Sequence, residues 1–206
     1  SARGRYIAFL DDDDEWLPSY LRQTLTLFNS ADLDVVCTDL LCRFDDGVDR
    51  QGKAAPSELR PDLFLTRNPG LIGSNLVIRR SLYRTMEGFD ESLPTYEDMD
   101  CGIRLSLATN VRYARLPQRL VRRHEHTGPK LTRVQGEAMR TGIRRFYEIH
   151  GPRMSETQRQ QFRANVRGYW GIDEQGHILN LSQTGRESLM LMVKARLDQQ
   201  RHRTDP

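Results

Sequence analysis

Long apolar runs are missing from this 206-residue sequence. Nothing approaches the ~18–20 consecutive apolar residues of a membrane-crossing helix, and residues 1–20 do not read as a signal peptide. Cysteine is scarce. Cys37, Cys42 and Cys101 are odd in number and lack paired metal-binding spacing. Cys37 and Cys42 lie five apart and would face opposite sides of a strand. Reduced thiols in a cytoplasmic chain are therefore expected. Lysine is almost absent, contributing three of the 31 basic residues. Arginine's planar fork suits phosphate, although codon bias accounts for the excess equally well. No internal repeat or low-complexity tract occurs, so solenoids and compositionally disordered chains are excluded.

What is present is divided along the chain. Residues 1–100 carry 11 Lys+Arg and 19 Asp+Glu, a net −8; residues 101–206 carry 20 and 9, a net +11. An acidic half followed by a basic half suggests two different jobs. The pattern predicts a buried strand at 6–10 and a helix from about Leu17 with Leu17, Leu21, Leu25 and Phe28 on one face. A strand follows at 34–38, then mostly loop from Phe44 to Pro69 with a short helix at Pro61–Leu65. A strand at 74–78, short helix at 80–86, helix at 97–108 and strands near 111–116 and 120–124 complete an alternating α/β pattern. Residues 133–149 and 155–169 read as arginine-rich helices separated by Gly151-Pro152. A last amphipathic helix is expected at 187–200 before a basic tail.

Three polar constellations interrupt this pattern. In "AFLDDDDEW", residues 8–16, a strand feeds into five carboxylates before a helix, at the carboxyl end of a sheet where open α/β folds bind ligands. A run of acids alone is more often a solvated turn favouring the next helix's positive end. The preceding strand shifts the reading toward a site. On an extended chain Asp11 and Asp13 share one side and suit a hard divalent cation, while Asp12 and Asp14 point elsewhere. Trp16 reads as a hydrophobic anchor beneath the helix start. In "TYEDMDCGIRL", residues 95–105, Thr95 and Asp98 match a capping box, and a carboxylate there equally suits a general base. Spacing does not choose between them. In "RRHEHTGPKLT", residues 122–132, His124 and His126 alternate, so one of them is expected to face the site.

Together these stretches resemble the family 2 glycosyltransferases of the GT-A fold. "GRYIAFLDDDDEWLPSYL" is similar to the family's strand, Asp-x-Asp metal motif and following helix. "GSNLVIRRSLYRTMEGFDESLPTYEDMDCGIRL" is similar to its acceptor-side segment ending in Glu-Asp, and "LVRRHEHTGPKLT" to the segment where it often has a histidine. Glu87 departs from the family, which often has a glycine there. The resemblance covers about residues 2–132.

The resemblance implies an α/β fold: the C-terminal part of a GT-A, Rossmann-like nucleotide-diphospho-sugar transferase sheet with flanking helices. Residues 1–132 would form this partial domain and 133–206 a basic, mainly helical extension. Mn2+ or Mg2+ would arrive with the diphosphate of a nucleotide-sugar, a UDP-sugar first. Asp11, Asp12 and Asp13 would contact this cofactor, with Asp11, Asp13 and His126 around the metal. Asp98 would deprotonate the acceptor hydroxyl for inverting displacement, and Glu97 would orient the acceptor or the base. The partners implied are the donor and a glycan or lipid-linked acceptor. The arginine-rich helices would favour an anionic membrane surface on its inner face; without an aromatic stacking pattern, nucleic acid is not expected.

Only five residues precede the first strand, whereas the family places further strands and most of the base pocket there. A fragment that binds nucleotide weakly is therefore expected, with the edge of residues 6–10 covered by a second copy, a swapped segment or the C-terminal helices. Two other functions fit parts of the pattern. One is a metal-dependent phosphohydrolase with Asp11 as nucleophile, although Glu15 stands where Thr or Val is usual. The other is a non-catalytic sugar-binding or scaffold module.

Overall fold

The computed structural model describes residues 2–125 and 135–179. β1 (Tyr6–Ala8) leads through the acidic stretch to β2 (Asp14–Trp16) and α1 (Tyr20–Ser30). β3 (Val35–Phe44) and β4 (Asp49–Gln51) follow, then α2 (Pro61–Phe64), β5 (Leu76–Arg79) and α3 (Arg80–Thr85). α4 (Glu97–Leu107), β6 (Tyr113–Glu125), α5 (Glu137–His150) and α6 (Glu156–Trp170) complete the described elements. The sheet runs β1-β5-β3-β6-β2, with β4 beside β3. β3 and β6 are parallel and the remaining pairs antiparallel. The expected helix at 187–200 lies outside the described residues.

Alternation along β3 sends its side chains into two cores. Val35 and Cys37 join Leu76, Ile78 and the apolar faces of α4, α5 and α6; Val36 and Leu40 join Tyr20, Phe28, Val77 and Val121 under α1. β1 feeds both: Ile7 and Phe9 pack on the first, Tyr6 and Ala8 on the second. Its faces are thus covered by the chain itself. Its outer edge pairs with no strand among the described residues.

Several boundaries differ from the expectation. β3 continues through Phe44, and the single strand Tyr113–Glu125 stands where two were expected near 111–116 and 120–124. Thr38 pairs with Leu116 and Asp39 with Arg119, so the register skips Pro117, which has no N–H to offer a ladder. Asp39 turns into this irregularity, where its carboxylate accepts from Arg115 Nε and Nη2 at 2.8 and 2.6 Å and from the Ala55 N–H at 2.9 Å. The expected loop after Phe44 begins with a β3–β4 hairpin turning at Gly47, whose φ is +73°. On α1 the buried stripe is Tyr20, Thr24 and Phe28, while Leu21 and Leu25 are exposed. Tyr20 sets that phase, since its ring is fully buried and stacks on Trp16 with centroids 4.8 Å apart. Trp16 is thus the anchor expected of it.

α4 crosses α2 closely. A Cβ on Gly102 would sit 2.3–2.7 Å from three atoms of the fully buried Phe64 ring. Gly102→Ala is expected to destabilise the chain by about 1–3 kcal/mol through this overpacking, read from the urea midpoint. An unchanged midpoint would show that the two helices separate freely. On α5 and α6, Arg140, Arg144, Arg145, Arg159 and Arg163 each lie within ion-pair distance of a glutamate, which tempers the positive face.

Candidate active site

The carboxylates after β1 do not lie on an extended chain. The Asp14 N–H bonds the Asp11 carbonyl at 3.2 Å, a turn through Asp12 and Asp13. β2 then runs antiparallel to β6, with Asp14 opposite Arg123. The turn reverses the parity expected from alternation. Asp14 comes back beside Asp11, and its carboxylate accepts from the His124 N–H at 3.3 Å. Asp12 and Asp13 occupy the exposed turn.

A 3₁₀ turn at Gly73–Asn75 forms the wall of the site. Ser74 Oγ accepts from the Asp11 N–H at 3.1 Å, and its single hydroxyl proton is within reach of either the Asp11 or the Asp14 carboxylate, favouring the ionised form of whichever it serves. The Ser74 carbonyl accepts from Trp16 Nε1 at 2.9 Å. Fully buried Asn75 fixes the turn to the sheet, donating to the carbonyls of Thr38 at 2.7 Å and Gly70 at 2.9 Å. Gly73 leaves the approach open, because a Cβ there would stand 3.5 Å from Asp11 Oδ1.

The second carboxylate group enters from α4. Tyr96, at φ +70°, occupies the N-cap without a side-chain cap bond. The expected Thr95–Asp98 capping box is not formed: Thr95 Oγ1 turns to the Ala138 carbonyl at 3.4 Å, and Asp98 accepts from the Gly73 N–H instead. Burial, reinforced by Glu97 and Asp11, pushes the Asp98 carboxyl well above its usual range; the Gly73 bond and Arg123 oppose the shift. Burial also raises Asp11, with Asp13 and Asp12 adding repulsion against the Ser74 bond. Asp14 and Glu97 are raised by burial first, and each feels Asp11.

Asp11, Asp14, Glu97 and Asp98 therefore form one carboxylate field at the end of β1, countered by Arg123. Such a field attracts a cation, and its oxygen-only donors suit a hard divalent ion that keeps phosphate or water in its remaining positions. Among the described residues, no group of three or more His, Cys, Asp and Glu side chains is arranged to hold a metal by itself. His126 lies outside the described residues. Half-exposed His124 lies 3.8 Å from Glu15, which pairs with Arg122 at 2.6 Å. The sequence reading missed Asp14, Gly73 and Ser74. A small-residue pair just before a strand was the available signal for the last two.

Residues 1–86 match the family model described as Glycosyl transferase family 2. Over this segment the chain is similar to glycosyl transferase family 2. No curated protein matches the chain. Among solved structures, S. aureus TarS 1–349 in complex with UDP-GlcNAc shares the fold with a TM-score of 0.55 at 16% identity, covering 92% of this chain and 56% of that one. S. aureus TarS 1–349 gives a TM-score of 0.52 at 17% identity, covering 96% of this chain and 58% of that one. This chain spans a little over half the length of each. The likeness extends beyond the family 2 segment as a GT-A-like mixed sheet with flanking helices.

Proposed function

We propose that the chain moves a sugar from a nucleotide-sugar to an acceptor hydroxyl with inversion, in a metal-dependent reaction. One observation carries this reading: Asp98 and Asp11, 87 positions apart in sequence, lie close enough that the Asp11 charge raises the proton affinity of Asp98, with the Gly73 N–H on Asp98. A half-buried proton acceptor beside a carboxylate that seeks a cation is what such a transfer needs.

Asp11 and Asp13 would hold Mn2+ or Mg2+, with Asp12 beside the nucleotide and His126 approaching the metal. The bound ion supplies stabilisation of charge on the departing diphosphate. Asp98 accepts the acceptor hydroxyl's proton as that oxygen bonds the anomeric carbon. The carbon–oxygen bond to the diphosphate breaks on the opposite face, and its electron pair leaves with the phosphate. Glu97 orients the acceptor. Positive charge near Asp11 favours the ionised form of Asp98 that a base requires.

UDP-sugars are the first donors to test, since the TarS 1–349 structure holds UDP-GlcNAc. A glycan or lipid-linked acceptor at the cytoplasmic face, a division after residue 132, and a second copy across the β1 edge belong to the same proposal. Among the described residues no helix is long and apolar enough to cross a membrane. Calorimetry tests the metal site: Asp13→Ala should abolish the Mn2+-dependent part of UDP affinity. Unchanged Mn2+-dependent affinity in that variant would overturn it.

A further inference from the structure

α5 grips the base-bearing end of α4 at two points. At the first, Gly142 brings the α5 backbone directly against residue 95. A Cβ there would fall 2.0 Å from Thr95 Oγ1 and 2.7 Å from the Thr95 carbonyl oxygen. Thr95 is 3% exposed, and its hydroxyl donates to the Ala138 carbonyl at 3.4 Å. At the second, the last residue of α5 reaches the first turn of α4: His150 Nε2 lies 2.9 Å from Asp100 Oδ1. The tautomer with its proton on Nε2 donates this bond. Both side chains are buried, at 4% and 3% exposure. His150 Nδ1 has no hydrogen-bond partner among the described residues, so Asp100 is the ring's one polar contact there.

Between these two points lie Tyr96, Glu97 and Asp98. Tyr96 is held in its left-handed conformation with its ring against Phe146 of α5, centroids 5.2 Å apart. Asp100 is also fixed from the other side, because Arg104 Nε donates to its second oxygen at 2.7 Å. Arg104 Nη1 in turn donates to the Met86 carbonyl at 2.7 Å. α4 is thus tied to α5 through the His150–Asp100 bond and to the end of α3 through the Arg104–Met86 bond, and a turn about its axis would break both.

A buried polar pair pays a desolvation penalty that an apolar contact between the same helices would avoid. What the pair adds is direction. We infer that His150 is a positioning residue: through Asp100 it fixes the rotation of the first turn of α4 and so aims the Asp98 carboxylate at the Gly73 side of the site. α5 then belongs to the machinery of the reaction. The kinetic part of this inference rests on the transfer reaction proposed above, and the structural part does not.

The test compares two variants of the full chain. His150→Phe keeps the ring against Phe146 and removes the donor; His150→Gln restores an amide donor near the position of Nε2. Hydrogen exchange of the amides at 95–100 is the first readout, set against α1 and β3. It should quicken at 95–100 alone in the Phe variant and return toward wild type in the Gln variant. Turnover is the second, and a misaimed base should lower it by roughly 10–100-fold in the Phe variant with donor KM unchanged. Wild-type exchange at 95–100 in the Phe variant, or equal quickening throughout the sheet, would overturn the inference. So would a Gln variant as impaired as the Phe variant. Should His150→Phe fail to fold, Thr95→Ala loosens the other grip and must show the same local quickening, or the inference falls. A wild-type protein in its longest natural form that transfers no sugar from any donor would sink the proposed reaction while the exchange data still decide the positioning.

Discussion

Asp98→Asn is expected to lower sugar transfer by roughly 10²–10⁴ while donor affinity is preserved. The substitution keeps the volume, and the amide oxygen can still accept from the Gly73 N–H that now bonds Asp98. It removes the ability to take the acceptor's proton. It also removes one negative charge from beside Glu97 and Asp11, whose repulsion works against the folded carboxylate field. Stability should therefore hold or rise as activity falls. A helix cap would behave oppositely, with about 1 kcal/mol of stability lost and turnover spared. The two outcomes separate in one experiment combining initial rates with a urea titration. Turnover within a few-fold of wild type would refute the catalytic role.

Asp39→Ala is expected to cost about 3 kcal/mol, since it strands a buried amide and the partly exposed Arg115 guanidinium that the buried carboxylate holds. Asp39 is 2% exposed and sits where the β3–β6 ladder loses its regular register. Its two oxygens accept from Arg115 Nε and Nη2, and one of them also accepts from the Ala55 N–H. Alanine would leave the Arg115 guanidinium without its carboxylate and a buried amide without an acceptor. Against a typical total of ~5–15 kcal/mol, that is a large share of the fold's stability. Chemical denaturation decides it, and a loss below about 1 kcal/mol would mean that Arg115 swings into solvent without penalty. Asp39→Asn, which keeps an acceptor, should fall between alanine and wild type.

The two residues differ in how far local pattern reaches. Asp98 was legible because a carboxylate pair opened a helix at a spacing that a known family shares. The helices at Pro61, Glu97, Glu137 and Glu156 were also legible, since proline at a first turn, acidic starts and the Gly151-Pro152 break act within a few residues. Asp39 was not legible. An acidic residue in mid-strand argues for a loop until Arg115, 76 positions away, supplies its partner. The same holds for the long β6, which carries a proline that a regular ladder would reject and that the skipped register accommodates.

The sequence by itself determined the α/β class, the order of strand, carboxylates and helix, and the identity of the acids at 11–13 and 97–98. These follow from periodicity and from chemistry confined to neighbouring residues. Only the tertiary structure decided that the chain turns at Asp12–Asp13 and returns Asp14 to the site, that Ser74 and Gly73 line it, that Leu21 and Leu25 face outward, and that His150 reaches Asp100. Each of these depends on which distant backbone stands opposite. A hydrogen bond or buried ring fixes orientation only once its partner is in place, and no window of local sequence contains both.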